Sequence, residues 1–359
     1  MPLVRFLLRP AIIPAWVAAL LALLLVFFPA SALEASIRGL SIWWEVLFPA
    51  LFPFFVISEL LLGFGIVHFF GTLLDPLMRP LFRFPGSGSF VFAMGYASGY
   101  PVGARLTAQL WEQRLITRAE GERLVAITTT SDPIFLIGAV SVGFFHNAAL
   151  APLLAAAHYG GAFIIGLLMR FHDRKAPDSP KAVSAYAGGA KRSILRQAIT
   201  AMHRARLMDG RTLGTLLQDA VQAALRLMIV VGGLVVFFSV IMELLTNVGI
   251  IEALSGLLRF VMGAIGMPDT LANAVISGIF EVTLGAKGAG ASTGSGLVHQ
   301  AAIAAFILSW GGLSVHAQVV SLLSRTDLRY RPFFIARLSH AILAIFLVYL
   351  LWNMLGPVS

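Results

Sequence analysis

Residues 11–28 (AIIPAWVAALLALLLVFF) run for eighteen positions without a charge, and apolar blocks of similar length recur to the end of the chain. Soluble proteins do not carry such blocks repeatedly; a bilayer core about 30 Å thick calls for them. Hydrophobic residues make up 58% of the 359 and charged residues only 12%, about half the usual share for a soluble chain. The chain therefore reads as a polytopic membrane protein whose core is helix against helix. It contains no Cys, which excludes disulfides, Cys-ligated metals and thiol nucleophiles.

Charge is concentrated in one place. Residues 170–211 carry ten basic side chains, Arg170, Arg174, Lys175, Lys181, Lys191, Arg192, Arg196, Arg204, Arg206 and Arg211, against Asp173, Asp178 and Asp209, or +7 of the net +9. This is a cytoplasmic loop under the positive-inside rule. Nucleic-acid binding is not expected, since the loop offers only Phe171 and Tyr186 for base stacking. Contact with anionic lipid head groups is a secondary role.

The spans divide the chain as follows: an N-terminal transmembrane helix and linker (1–40), a first repeat (41–146), a connecting span (147–170), the basic loop (171–218), a second repeat (219–324) and a last span (325–359). Span 11–28 is read as retained, although the Pro29–Ala32 stretch after it also resembles a cleavage site. Phe54–Leu61 (FFVISELL) aligns with Phe238–Leu245 (FSVIMELL) at a spacing of 184, which also places Gly65-Ile66 on Gly249-Ile250. Each copy runs in the same order: intramembrane Glu (Glu59 or Glu243), amphipathic piece, Pro/Gly turn, broken hairpin, broken span. The breaks are expected at 98–103, 128–133, 281–288 and 309–314.

Arg5 and Arg9 place the N-terminus inside, and following the charges from there gives the two repeats opposite orientations. The expected fold is thus an all-α polytopic membrane protein of two inverted repeats with broken helices and re-entrant hairpins. In hydrocarbon an unpaired backbone group costs several kcal/mol, so such breaks belong inside protein or beside a wet cavity. The N-terminal ends of half-helices suit an anionic group and their carbonyl ends a cation, as in many secondary transporters.

The ionisable residues at these segments are Glu59, Glu243, Glu281, Lys287, Asp132, Arg105 and His316. Such groups in a membrane are functional or paired. Glu59 and Glu243 are candidates for a coupling cation, proton or sodium, or else reach to the interface. Glu281 and Lys287 either bind substrate or form an ion pair across their break. Asp132 is a cap for the half-helix after it, His316 a carboxylate reader or a residue bonded only to a neighbour. No catalytic motif stands out. Gly285-Ala286-Lys287-Gly288 lacks P-loop spacing, the Ser of Gly95–Gly99 sits one place too late for a nucleophile elbow, and no zinc-protease motif occurs. No enzyme, cofactor or metal is expected.

Five strings carry a resemblance: Phe84-Pro85-Gly86, Met94–Ala104 (MGYASGYPVGA), Ser141–Asn147 (SVGFFHN), Phe280–Gly285 (FEVTLG) and Gly311–Gln318 (GGLSVHAQ). Across about residues 40–325 the chain resembles the YlbJ-type sporulation integral membrane proteins of the nucleoside-recognition, or Gate, group. That group is distantly similar to concentrative nucleoside transporters. The resemblance implies import of dipicolinic acid from the mother cell toward the forespore, across the outer forespore membrane, by a secondary or facilitated alternating-access mechanism. It points at Ser98, Gly99, Tyr100, Pro101 and Gly103, at Ser131 and Asp132, at Glu281, Thr283 and Lys287, and at Ser314, His316 and Gln318 as substrate residues. Dipicolinate is a planar dianion, which Lys287, half-helix amides and Ser or Thr hydroxyls would suit, with Tyr100 or Trp310 as an aromatic wall. A nucleoside or other metabolite carrier and a non-transporting scaffold in a sporulation complex are the alternatives. The lipid bilayer is the expected surrounding, and a homo-oligomer is left open.

Overall fold

The computed structural model describes residues 12–179 and 193–357, and these are helical with no strand among them. Arg5, Arg9, Lys181, Tyr186, Lys191 and Arg192, used above to orient the chain and to characterise its loop, lie outside the described residues.

Helix α1 (Ile13–Phe27) stops at Phe28, and Pro29 starts α2 (Pro29–Ser41), bent 104° away. The stretch expected to be a linker is thus a helix, because Pro is preorganised for a first helical turn. A π-helical segment, Ile42–Leu47, leads into α3 (Phe48–Gly63). Gly65, at φ +77°, turns the chain into α4 (Ile66–Phe82). The first hairpin is α5 (Ser87–Ser98) and α6 (Tyr100–Glu112). Helix α7 (Arg118–Thr128) enters the first broken span at about Leu124, and a π-helical segment, Ile134–Phe144, continues it. The connecting span is α8 (Ala151–Met169).

Within 171–218, residues Ile194–Asp209 form α9, started by the Ser193 hydroxyl accepting from the Arg196 N–H and stopped at Gly210. Small residues let it lie against α4: a Cβ on Gly65 would sit 2.8 Å from the Met202 carbonyl. Helix α10 (Leu213–Asn247) is 35 residues, about 52 Å, so it extends beyond the hydrocarbon. Then follow α11 (Ile250–Ala264), the second hairpin α12 (Ala272–Phe280) and α13 (Val282–Ala291), the second broken span α14 (Leu297–Trp310) and α15 (Gly312–Leu323), and the last span α16 (Tyr330–Leu355).

The order α3, α4, hairpin, broken span recurs from the end of α10 onward. Gly249, 184 residues after Gly65, has the same left-handed φ, +76° against +77°. Among the described residues, helices 148–169, 213–247, 297–323 and 330–355 are long and apolar enough to cross a membrane, and the number is six if each of two bent pairs counts as one span.

Packing joins the two halves. Helix α6 of the first hairpin lies on α15, and α13 of the second lies on the 134–144 segment. The broken span 297–323 is the most enclosed of the four long spans, its first half α14 lying between α8, α13 and α16. Small residues make such contacts close: a Cβ on Gly166 of α8 would strike Ile127, and one on Gly161 would lie 2.9 Å from the His340 ring. Large apolar side chains such as Val26, Ile229, Phe260 and Met354 point outward, as lipid-facing positions do.

The Arg-rich end is fastened by ions. The Glu122 carboxylate, 1% exposed, accepts from Arg329 through Nε and Nη2, both at 2.8 Å, and pairs with His172 Nε2 at 2.6 Å. Burial pushes this carboxyl up, but the bonds from Arg329 and His172 outweigh it and hold Glu122 below its usual range. Arg123 beside it donates to the carbonyls of Arg83, His172 and Asp173.

Candidate functional site

Each break has a local cause. At Gly99, φ is +87° and ψ −175°, a region that only glycine enters readily. Pro101 in the first turn of α6 sacrifices no helical bond. The broken elements close up on glycines: a Cβ on Gly95 or Gly103 would come within 2.7 or 2.5 Å of the Thr128 carbonyl, and Gly278 and Gly285 touch directly. In the second hairpin Glu281 takes the cap position and accepts the Leu284 N–H at 2.8 Å. In the first broken span Asp132 accepts the Phe135 N–H at 2.8 Å, as expected of a cap. In the second, Gly311 and Gly312 turn the chain at φ +85° and +76°.

The four breaks meet. A Cβ on Gly99 would lie 3.1 Å from Asp132 Oδ2, one on Gly312 3.1 Å from Glu281 Cα, and one on Gly311 3.5 Å from the Tyr100 ring. At their junction is a cavity of about 50 Å³. Gly99, Tyr100, Pro101, Asp132, Glu281, Thr283, Ser314 and Gln318 line it, with Leu47, Leu51, Val231 and Val235 forming the apolar wall opposite. It shares Leu47, Leu51, Asp132, Phe135 and Thr283 with a larger cavity of about 710 Å³. Lys287, Arg38 and Glu45 line that larger cavity. A third cavity, about 960 Å³ and rich in charge, lies toward the Arg-rich end, between α3, α6, α9, α10 and α15. The central cavity sits between the two: along α15 the lining passes from Gln318 to Ser321 and Leu322, and along α10 from Val231 to Val230.

The half-helix ends at the junction are not equivalent. Carboxylates cap the amide ends of α13 and of the 134–144 segment. The amide ends of α6 and α15, started by Gly99 and Gly311, have no side-chain cap. Ser98, fully buried beside the first of these, has no hydrogen-bond partner for its Oγ among the described residues.

The remaining residues singled out in the sequence stand further off. Lys287 is exposed on the larger cavity; it makes no ion pair with Glu281 and has no polar partner among the described residues. Ser131 is held by its backbone, its N–H donating to His158 Nε2 at 2.9 Å and its carbonyl accepting from Tyr159 at 3.0 Å. His316 has both ring nitrogens engaged, Nδ1 with the Tyr330 hydroxyl at 2.7 Å and Nε2 with the Trp310 carbonyl at 3.2 Å. Glu59 faces Arg105 at 3.6 Å and accepts from Gln109 at 3.0 Å. Glu243 pairs with Arg38 at 2.5 Å.

Three residues outside both repeats hold the junction together and were missed in the sequence. Arg337 of α16, fully buried, donates to the carbonyls of Ala126, Thr129 and Ser309. His158 of α8 bridges the Ser131 N–H and the Ser309 hydroxyl, its Nδ1 3.0 Å from that Oγ. His340 stacks on His158 with 5.2 Å between ring centres. Ionisable residues inside apolar spans were the available signal.

Comparison with known proteins bears on the same segments. The family described as nucleoside recognition, Gate, matches residues 44–146 and again 228–326. Over 329 residues the chain is 46% identical to the sporulation integral membrane protein YlbJ of Bacillus subtilis (strain 168), covering 90% of this chain and 78% of that protein. It is 28% identical over 109 residues to an uncharacterised protein of Alkalihalophilus pseudofirmus, covering 28% of this chain and 24% of that one. No solved structure matches.

Proposed function

Because the chain belongs to the nucleoside-recognition Gate family, and among its members to the YlbJ sporulation integral membrane proteins, we propose that it is a membrane carrier for a small aromatic dicarboxylate, dipicolinate first of all. In a sporulating cell it moves this dianion from the mother cell toward the forespore, across the outer forespore membrane.

The observation that carries this reading is the convergence of four helix breaks on one cavity that shares five lining residues with a ligand-sized one. A scaffold gains nothing from broken backbone at membrane depth. At about 50 Å³ the junction holds one or two waters, whereas 710 Å³ is within the usual range for a small-molecule site. The dianion enters the larger cavity past Lys287, and its carboxylates turn to the two uncapped amide ends, at Gly99 and Gly311. Tyr100 supplies the flat wall. The junction then opens toward the third cavity as the first closes. Inverted repeats, supported by the distribution of Arg and Lys, provide two equivalent ways of packing for such an exchange.

The family description favours a second reading, a nucleoside carrier. Lys287 on the larger cavity, with no polar partner among the described residues, favours the dianion. Thermal melting of the detergent-purified chain with dipicolinate, a pyridine monocarboxylate or a nucleoside separates the two. A melting point that rises with dipicolinate alone supports the first reading, and a rise with the nucleoside alone replaces it.

A further inference from the structure

The carbonyl ends of half-helices are where a transporter holds a coupling cation. In the two broken spans, most of those ends are already occupied among the described residues. In α14, Ile307 accepts from the Gly311 N–H at 2.8 Å, Leu308 from the Tyr100 hydroxyl at 2.7 Å and Ser309 from Arg337 at 3.4 Å. The Trp310 carbonyl meets His316 Nε2. In α7, Val125 receives both the N–H and the hydroxyl of Thr129, and Ala126 accepts from Arg337 at 2.5 Å. Just past that helix end, the carbonyl of Thr129 is also bound by Arg337.

Arg337 has 0% exposure and makes no ion pair among the described residues; its hydrogen-bond partners there are all backbone carbonyls, from both broken spans. An arginine buried at membrane depth needs its charge balanced by what it touches. What it touches is the negative end of two helix dipoles, one from each repeat. The carboxylates that the sequence offers for a coupling ion are each paired with an arginine as well, Glu59 with Arg105 and Glu243 with Arg38.

We infer that Arg337 is a tethered substitute for a coupling metal cation: it places the positive charge at the junction of the broken spans permanently, and the carrier works without sodium. This rests on the transport reading above and adds to it which ion is not required.

The test uses the purified full-length chain in two media of equal ionic strength, sodium chloride and N-methylglucamine chloride. Dipicolinate uptake into liposomes and the melting point in detergent are both measured. The wild type is expected to give the same uptake rate and the same melting point in the two media. Arg337→Ala is expected to melt lower and to recover part of the loss in millimolar guanidinium, a free copy of the missing group. Faster uptake in sodium, or a sodium-specific rise in the wild-type melting point, overturns the inference, whether or not the variant folds. If the wild type takes up no dipicolinate in either medium, the transport reading fails, and the melting comparison still decides the role of Arg337.

Discussion

Tyr100 donates its hydroxyl to the carbonyl of Leu308 at 2.7 Å, across 208 residues of sequence. The bond ties the first hairpin to the second broken span at the point where α14 ends. Removing the donor leaves a buried carbonyl unpaired, which costs about 1–3 kcal/mol. Tyr100→Phe is therefore expected to melt several degrees lower in detergent. An unchanged melting point would show that the carbonyl finds another donor.

Gly99 carries a second prediction. Its φ of +87° with ψ near 180° is strained for any residue with a Cβ, by about 1–3 kcal/mol, and the added Cβ would face Asp132 Oδ2 at 3.1 Å. Gly99→Ala should lose stability and uptake together. Gly233→Ala is the control: nothing lies within 4 Å of its Cβ position, and in mid-helix alanine gains up to about 1 kcal/mol over glycine. Equal melting points for the two variants would contradict the account of the break.

Glu122 sets a pH dependence. Its folded carboxyl titrates below the ordinary 4.5 because Arg329 and His172 outweigh the effect of burial. Its contribution to stability is therefore complete above the unfolded value and is lost as the pH falls through the depressed folded one. The wild type should lose melting temperature below about pH 4.5, and Glu122→Gln, lower at neutral pH, should show a flatter acid limb. Parallel acid limbs would remove Glu122 from the explanation.

Lys287 separates transport from folding. It is exposed on the larger cavity and has no polar partner among the described residues, so Lys287→Ala should melt like the wild type. Loss of this lysine from the cavity lining should abolish dianion uptake. Unchanged uptake in a correctly inserted Lys287→Ala chain would remove it from the path.

The breaks were legible because a cluster of Gly, Pro, Ser or Thr inside an apolar run has few alternatives in lipid. The expected windows at 98–103, 281–288 and 309–314 contain the turns at Gly99, Glu281 and Gly311. The spacing of 184 also led to two glycines with the same left-handed backbone, Gly65 and Gly249. What fastens the breaks was not legible. Arg337 lies seven residues into the last span, where it looks like a flanking charge, and the carbonyls it binds are 28 to 211 residues away. A backbone carbonyl leaves no trace in composition. The sequence also left α2 and α9 unmarked, since short amphipathic helices differ little from polar linkers in their content of apolar residues.

The central claim is that the junction of the four breaks passes an aromatic dianion. Uptake of radiolabelled dipicolinate into liposomes holding the inserted full-length chain tests it most directly, under imposed proton, sodium and calcium gradients. The account predicts saturable uptake above that of empty liposomes, with no need of the sodium gradient. Inserted chain that takes up no more dipicolinate than empty liposomes under every gradient would contradict it.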